Sequence, residues 1–212
     1  GIDLERRHYG NWDEIILREF LNSRVFKFAN KLVICPILEL INHEVISFPF
    51  VTSQSGISSP DYPPSSLELT HSYNYKSPLK RFFNDGFFSK ETIVFSIPFN
   101  LYFQETGINF QCKGLDLRSD SMNITKEGRN ILIDGLPIAD SNYLNLPKHY
   151  FDELLSRISD YNIPQNTLKK IIQLNLSVRE NILNKMKSLD SKTISYFKET
   201  MRYEIGLISA YD

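Results

Sequence analysis

From residue 147 onward the hydrophobic period of the chain becomes helical, and that change limits the fold more than any other feature. Pro147 suits a first helical turn, and Tyr150, Leu154, Leu155 and Ile158 then recur on one face. Pro164 opens a second stretch, in which Leu168, Ile171, Ile172, Leu176, Val178, Ile182, Leu183 and Met186 make a broad apolar stripe. Ser191 is placed to cap a third, which carries Ile194, Phe197, Met201, Ile205 and Ile208. Three successive amphipathic helices with no strand between them predict a small bundle packed against a mixed region.

The residues before 147 read differently. Trp12, Ile15, Ile16, Phe20 and Val25 recur near helical spacing and predict an amphipathic helix over residues 11–29. Residues 31–35 and 37–41 are short apolar runs, either buried strands or a turn of helix, and periodicity does not separate these at that length. Residues 47–66 are rich in Ser and Pro and predict a long surface loop; loops beyond about 15 residues are usually functional or mobile. A strand over 67–75 and a short aromatic helix over 78–88, ended near Gly86, come next. Residues 92–98, 108–117, 122–125 and 131–133 read as strands, the last two joined by a hairpin turn at Glu127-Gly128-Arg129-Asn130.

Composition excludes several classes of function. Lys plus Arg count 24 against 25 acidic residues, a net charge of −1, without the concentrated basic excess of a nucleic-acid binder. The 15 Phe and 11 Tyr argue for a packed chain. The two cysteines, Cys35 and Cys112, read as buried free thiols, not a disulfide or zinc framework. His8, His71 and His149 show no ligand spacing, so no metal is expected. No apolar run approaches the length of about 20 residues that crosses a bilayer, so a soluble, cytoplasmic protein is expected, with no membrane partner.

Four local features stand out: Asn22-Ser23-Arg24-Val25-Phe26, Cys35 through His43, Tyr73-Asn74-Tyr75, and Phe82-Phe83-Asn84-Asp85-Gly86-Phe87. Each has a structural reading of its own. Arg24 suits the negative end of a helix, Asn42-His43 a turn, the two tyrosines strand packing, and Gly86 a helix C-cap.

Taken in order, the four features resemble the SET-type protein-lysine methyltransferases of the Rubisco large-subunit methyltransferase-like class. In that class a Ser-Arg-x-Phe segment precedes a Pro-x-x-Asp-x-x-Asn-His segment. A long variable loop follows, then a strand bearing a tyrosine, then a short helix ending in Gly-Phe. The matching residues here are Ser23-Arg24-Val25-Phe26, Pro36 through Asn42-His43, and 78 through 87. The resemblance implies an α+β fold, with a SET-like region of short strands followed by a helical C-terminal domain. It divides the chain into the C-terminal part of a SET-like domain (1–90), a strand-rich connection (91–146) and a helical substrate-binding-like domain (147–212). It implies S-adenosyl-L-methionine as cofactor, held by Ser23, Arg24, Glu39, Asn42, His43 and Phe87, with Tyr73 and Tyr75 as the catalytic candidates. A protein substrate or partner would dock on the helical region. The family's N-terminal glycine segment, which wraps the cofactor, is expected upstream of the residues present.

This sequence departs from the family pattern at four positions. Glu39 replaces the acidic Asp, Ser72 stands in register with the catalytic tyrosine, Pro78 replaces an Asn, and Asp85 replaces the tyrosine before Gly-Phe. A shift of one residue along a strand turns a side chain to the opposite face, so Tyr73 would need a bulge to serve. Beside an active methyltransferase, the same residues therefore allow a catalytically inactive SET-like module that binds a protein partner. Chance matches in an unrelated α+β interaction domain are a third reading.

Overall fold

The computed structural model describes residues 25–28, 31–35, 41–45, 47–48, 50–58, 70–71, 76–115 and 123–212. Within them the chain is α+β, with short strands and four helices. Contacts divide it into two compact units, Ile2–Asn74 and Tyr75–Asp212.

In the first unit, β1 (Val25–Phe28) and β2 (Lys31–Ile34) pair antiparallel, Val25 opposite Ile34 and Phe28 opposite Lys31. The expected helix over 11–29 is therefore wrong at 25–28. β-Branched and aromatic residues favour extended backbone there, and a partner strand lies only two residues further on. Residues 11–24 lie outside the described residues. The open choice for 31–35 resolves as strand, with Ile34 44% exposed. β3 (Asn42–His43) is considered below with β6 (Thr70–His71). The loop expected over 47–66 contains a hairpin, β4 (Val51–Ser53) against β5 (Gly56–Ser58). Its turn is tied by Ser55, whose backbone N–H donates to Ser53 Oγ at 3.3 Å. Serine-rich composition signalled a loop, and Ser53 and Ser55 serve the hairpin turn within it.

The second unit starts with α1 (Pro78–Asp85), which has Pro78 in its first turn. Gly86 ends it at φ 80°, donating its N–H to Phe82 O at 3.1 Å, as the sequence led one to expect. Next come β7 (Ile93–Phe95), β8 (Phe99–Phe103), β9 (Ile108–Cys112), β10 (Ile124–Glu127), β11 (Asn130–Ile133) and β12 (Pro137–Asp140). Four form one sheet in the order β10-β11-β9-β8, antiparallel except for the parallel β11–β9 pair. β12 pairs antiparallel with β7, and the pairing is extended by Ser96 N donating to Leu136 O and Ser141 N to Thr92 O, both at 2.8 Å. The Glu127–Asn130 hairpin turn is present, with Gly128 at φ 58°.

Helices α2 (Leu146–Arg157), α3 (Thr167–Lys185) and α4 (Lys192–Ser209) follow, with no strand among them. Ser191 caps α4, its Oγ accepting from Ile194 N at 3.2 Å. The helices share a core with the strands and do not form a body of their own. Val94, Phe110, Ile131, Ile133, Leu136 and Ile138 are buried with Phe151, Leu154, Ile158, Ile171, Ile172 and Ile208. Each contributes about 1.5–3 kcal/mol relative to exposure. Tyr211, just past α4, locks that helix to β12: its hydroxyl donates to Asp140 O at 2.6 Å and accepts from Asp140 N at 3.0 Å.

Candidate functional site

Asn42-His43 forms the two-residue strand β3, paired in parallel with β6: Asn42 lies opposite Thr70 and His43 opposite His71. Ser47 Oγ and Thr70 Oγ1 share a hydrogen bond of 2.5 Å beside this pair. Parallel strands need a crossover, and residues 44–69 with the β4–β5 hairpin provide it. The fold thus sets Asn42-His43 next to Thr70–His71. Asn42 is exposed and His43 half-buried. Ser23, Arg24, Glu39, Tyr73 and Tyr75, like Ser72, lie outside the described residues. Phe87, half-buried, directly follows the Gly86 cap of α1 in the second unit.

Asp85, the residue before Gly86, has ionic surroundings. Lys76 Nζ lies 3.0 Å from each carboxylate oxygen of Asp85, and Arg81 Nη1 lies 2.8 Å from Oδ2. Arg81 is fully buried and also donates through Nε to Glu91 Oε1 at 2.7 Å. The Tyr203 hydroxyl donates to Glu91 O at 3.2 Å, and burial, reinforced by the Glu91 charge, raises its pKa.

A second buried polar network was not foreseen from the sequence. Arg179 donates through Nε to Glu204 Oε2 at 2.8 Å, through Nη1 to Asn175 Oδ1 at 2.6 Å, and through Nη2 to Phe95 O at 3.2 Å. Asn175 in turn accepts from Ile97 N and donates to Ser96 Oγ and Ile171 O, each at 2.9 Å. The other Glu204 oxygen accepts from Leu79 N at 2.8 Å. A signal for this did exist. Asn175 and Arg179 stand four apart on the face of Ile171 and Ile172, where an all-apolar stripe would place hydrophobes. The buried face of α3 is Thr167, Ile171, Ile172, Asn175 and Arg179, while Ile182, counted into the expected stripe, is 36% exposed.

Elsewhere, burial pushes the Cys112 thiol up to about 11 and the Tyr150 phenol up to about 12. Hydrogen bonds from Lys113 and Asn123 hold the Asp134 carboxyl below the usual carboxylate range. Among the described residues no group of three or more His, Cys, Asp or Glu is placed to hold a metal ion, and no helix is long and apolar enough to cross a membrane. No family model matches the chain, and neither does any curated protein or solved structure.

Proposed function

We propose that this chain carries the C-terminal part of a SET-type protein-lysine methyltransferase of the Rubisco large-subunit methyltransferase-like class, using S-adenosyl-L-methionine. The observation that carries the reading is the β3–β6 pair. It sets Asn42-His43 beside Thr70–His71, and the candidate tyrosines follow two and four residues further along the sequence. The residues also suit the cofactor chemically. Asn42 carries amide donors and an acceptor of the kind an amino-acid group takes, and Phe87 carries an apolar ring. On this reading Arg24 grips the carboxylate of the cofactor, which the fixed fork of a guanidinium suits.

The reaction is an in-line displacement. A lysine amine, held neutral, would take the methyl group that bound S-adenosyl-L-methionine would supply, its nitrogen–carbon bond forming as the sulfur–carbon bond breaks and its proton passing to solvent. The protein's task is to orient the amine and exclude water. A protein substrate would lie against the helical region, where Ile182, Leu189 and Tyr196 are exposed.

A specific observation favours a second reading, a SET-like interaction module without catalysis. Asp85 brings a carboxylate, held between Lys76 and Arg81, where the family has a phenol. Two measurements separate the readings. Titration calorimetry with S-adenosylhomocysteine should show binding that Arg24→Ala abolishes. A radiolabelled-methyl assay on cell lysate should then show transfer onto a protein band, lost in Tyr73→Phe or Tyr75→Phe. Binding without transfer selects the module, and absence of binding defeats the cofactor in both.

A further inference from the structure

The eight residues of α1 are too few to hold a helix in water, since isolated helices below about 12–15 residues are marginal. Its position is therefore imposed from outside, and α4 supplies the contacts. Ser77, at the N-cap, makes no side-chain capping bond. The Leu79 N–H, one of the donors a helix start leaves without an intrahelical partner, instead reaches the fully buried Glu204 at 2.8 Å. Glu204 is itself fixed by Arg179, which Asn175 and Phe95 O hold in turn. Phe197 meets Phe82 and Phe83, with ring centroids 5.8 and 5.6 Å away. Beyond the Gly86 turn, the Tyr203 ring stands edge-on to Phe88 at 5.8 Å, and its hydroxyl binds Glu91 O. Phe197, Tyr203 and Glu204 thus grip α1 from its first turn to the residues just past its end.

We propose that Glu204 and Tyr203 are positioning residues for the Gly86–Phe87 turn, so that the C-terminal helix sets where Phe87 stands within its own unit. The inference rests on the reading above, which assigns Phe87 to the cofactor. Glu204 acts through the first turn of α1, and Tyr203 through Phe88 and Glu91 just past the turn.

The test uses the full chain, at a temperature where circular dichroism shows every variant folded. Glu204→Gln keeps an oxygen for the Leu79 N–H, and Glu204→Ala removes it. S-adenosylhomocysteine should bind Glu204→Ala about tenfold or more weakly than wild type, because small misplacements are costly. Glu204→Gln should restore binding towards wild type, a rescue that general loss of stability would not produce. Hydrogen exchange should quicken across α1 and at Phe87 in Glu204→Ala while β8–β11 stay protected. If Glu204→Ala does not fold, Tyr203→Phe removes only the bond to Glu91 O, and it should show the same direction in both readouts. Equal affinity for wild type and Glu204→Ala, or for wild type and Tyr203→Phe where that variant stands in, overturns the inference. If wild type itself binds nothing, the assignment of Phe87 falls. Exchange then decides alone, and unchanged protection at Phe87 overturns the positioning role.

Discussion

Arg179 and Glu204 are 3% and 0% exposed, and the bonds from Arg179 to Glu204 and Phe95 O, and from Leu79 N to Glu204, each tie a helix to another element. Taking one partner away leaves a buried charge without its counter-ion, which costs about 3–5 kcal/mol. Arg179→Met should lower the free energy of unfolding by that amount in urea denaturation. Adding Glu204→Leu should cost much less than the sum of the two single changes, because the second removes a charge already stranded. Strict additivity would show that the two side chains are not coupled. Cys112 and Tyr150 give the pH dependence. An unfolded chain ionises a thiol at about 8.5 and a tyrosine at about 10. Burial raises them here to about 11 and about 12, so the unfolded chain loses these protons first. Their contribution is fully present below about pH 8.5 and is lost as pH rises towards 11 and beyond. The urea midpoint should fall over that range, and Cys112→Ala should flatten the part between pH 8.5 and 10. A midpoint that rises with pH there would contradict the burial of both groups. At pH 8 a thiol reagent should label half-buried Cys35 and spare Cys112.

At the scale of elements, the junctions decide more than the elements do. Gly86 and Gly114 both have positive φ, at 80° and 68°, but their surroundings differ. A Cβ on Gly86 meets nothing within 4 Å, whereas on Gly114 it would lie 2.5 Å from Pro98 Cδ and 2.6 Å from Pro98 N. Gly86→Ala should cost about 1–2 kcal/mol of backbone strain alone. Gly114→Ala should cost about 2–5 kcal/mol, because overpacking against backbone adds to the strain. Thermal melts of the two variants would reverse that order only if Pro98 moved freely away. The same contrast explains which elements were legible. The helices after 147, the Gly86 cap, the Ser191 cap and the Gly128 hairpin each depend on a local rule. β8 was missed although Phe99, Leu101 and Phe103 alternate, because Pro98 punctuates the run just before it. β12 carries no alternation to read, since all four of its residues are buried. Val25–Phe28 has helical spacing as part of a longer window, and only its pairing with Lys31–Ile34 makes it a strand.

For the whole molecule, the core cluster runs from Val94 to Ile208 and lies within the Tyr75–Asp212 unit. A fragment of residues 75–212 should therefore fold alone, with helical circular dichroism and one cooperative thermal transition. A broad, non-cooperative melt would mean that this core depends on residues before 75. The sequence by itself determined the α+β class, the three C-terminal helices and the Ser191 cap, because these follow from periodicity and turn chemistry within a few residues, although the second helix starts at Thr167 and not at Pro164. Tertiary structure alone decided the rest. It placed Asn42-His43 beside Thr70–His71, merged the helices and strands into one core, and joined Arg179 to Glu204 and Glu204 to Leu79. Those partners lie 25 and 125 residues apart, and no local pattern specifies which buried donor will meet which buried acceptor. That choice is made only when the desolvated groups must be satisfied together.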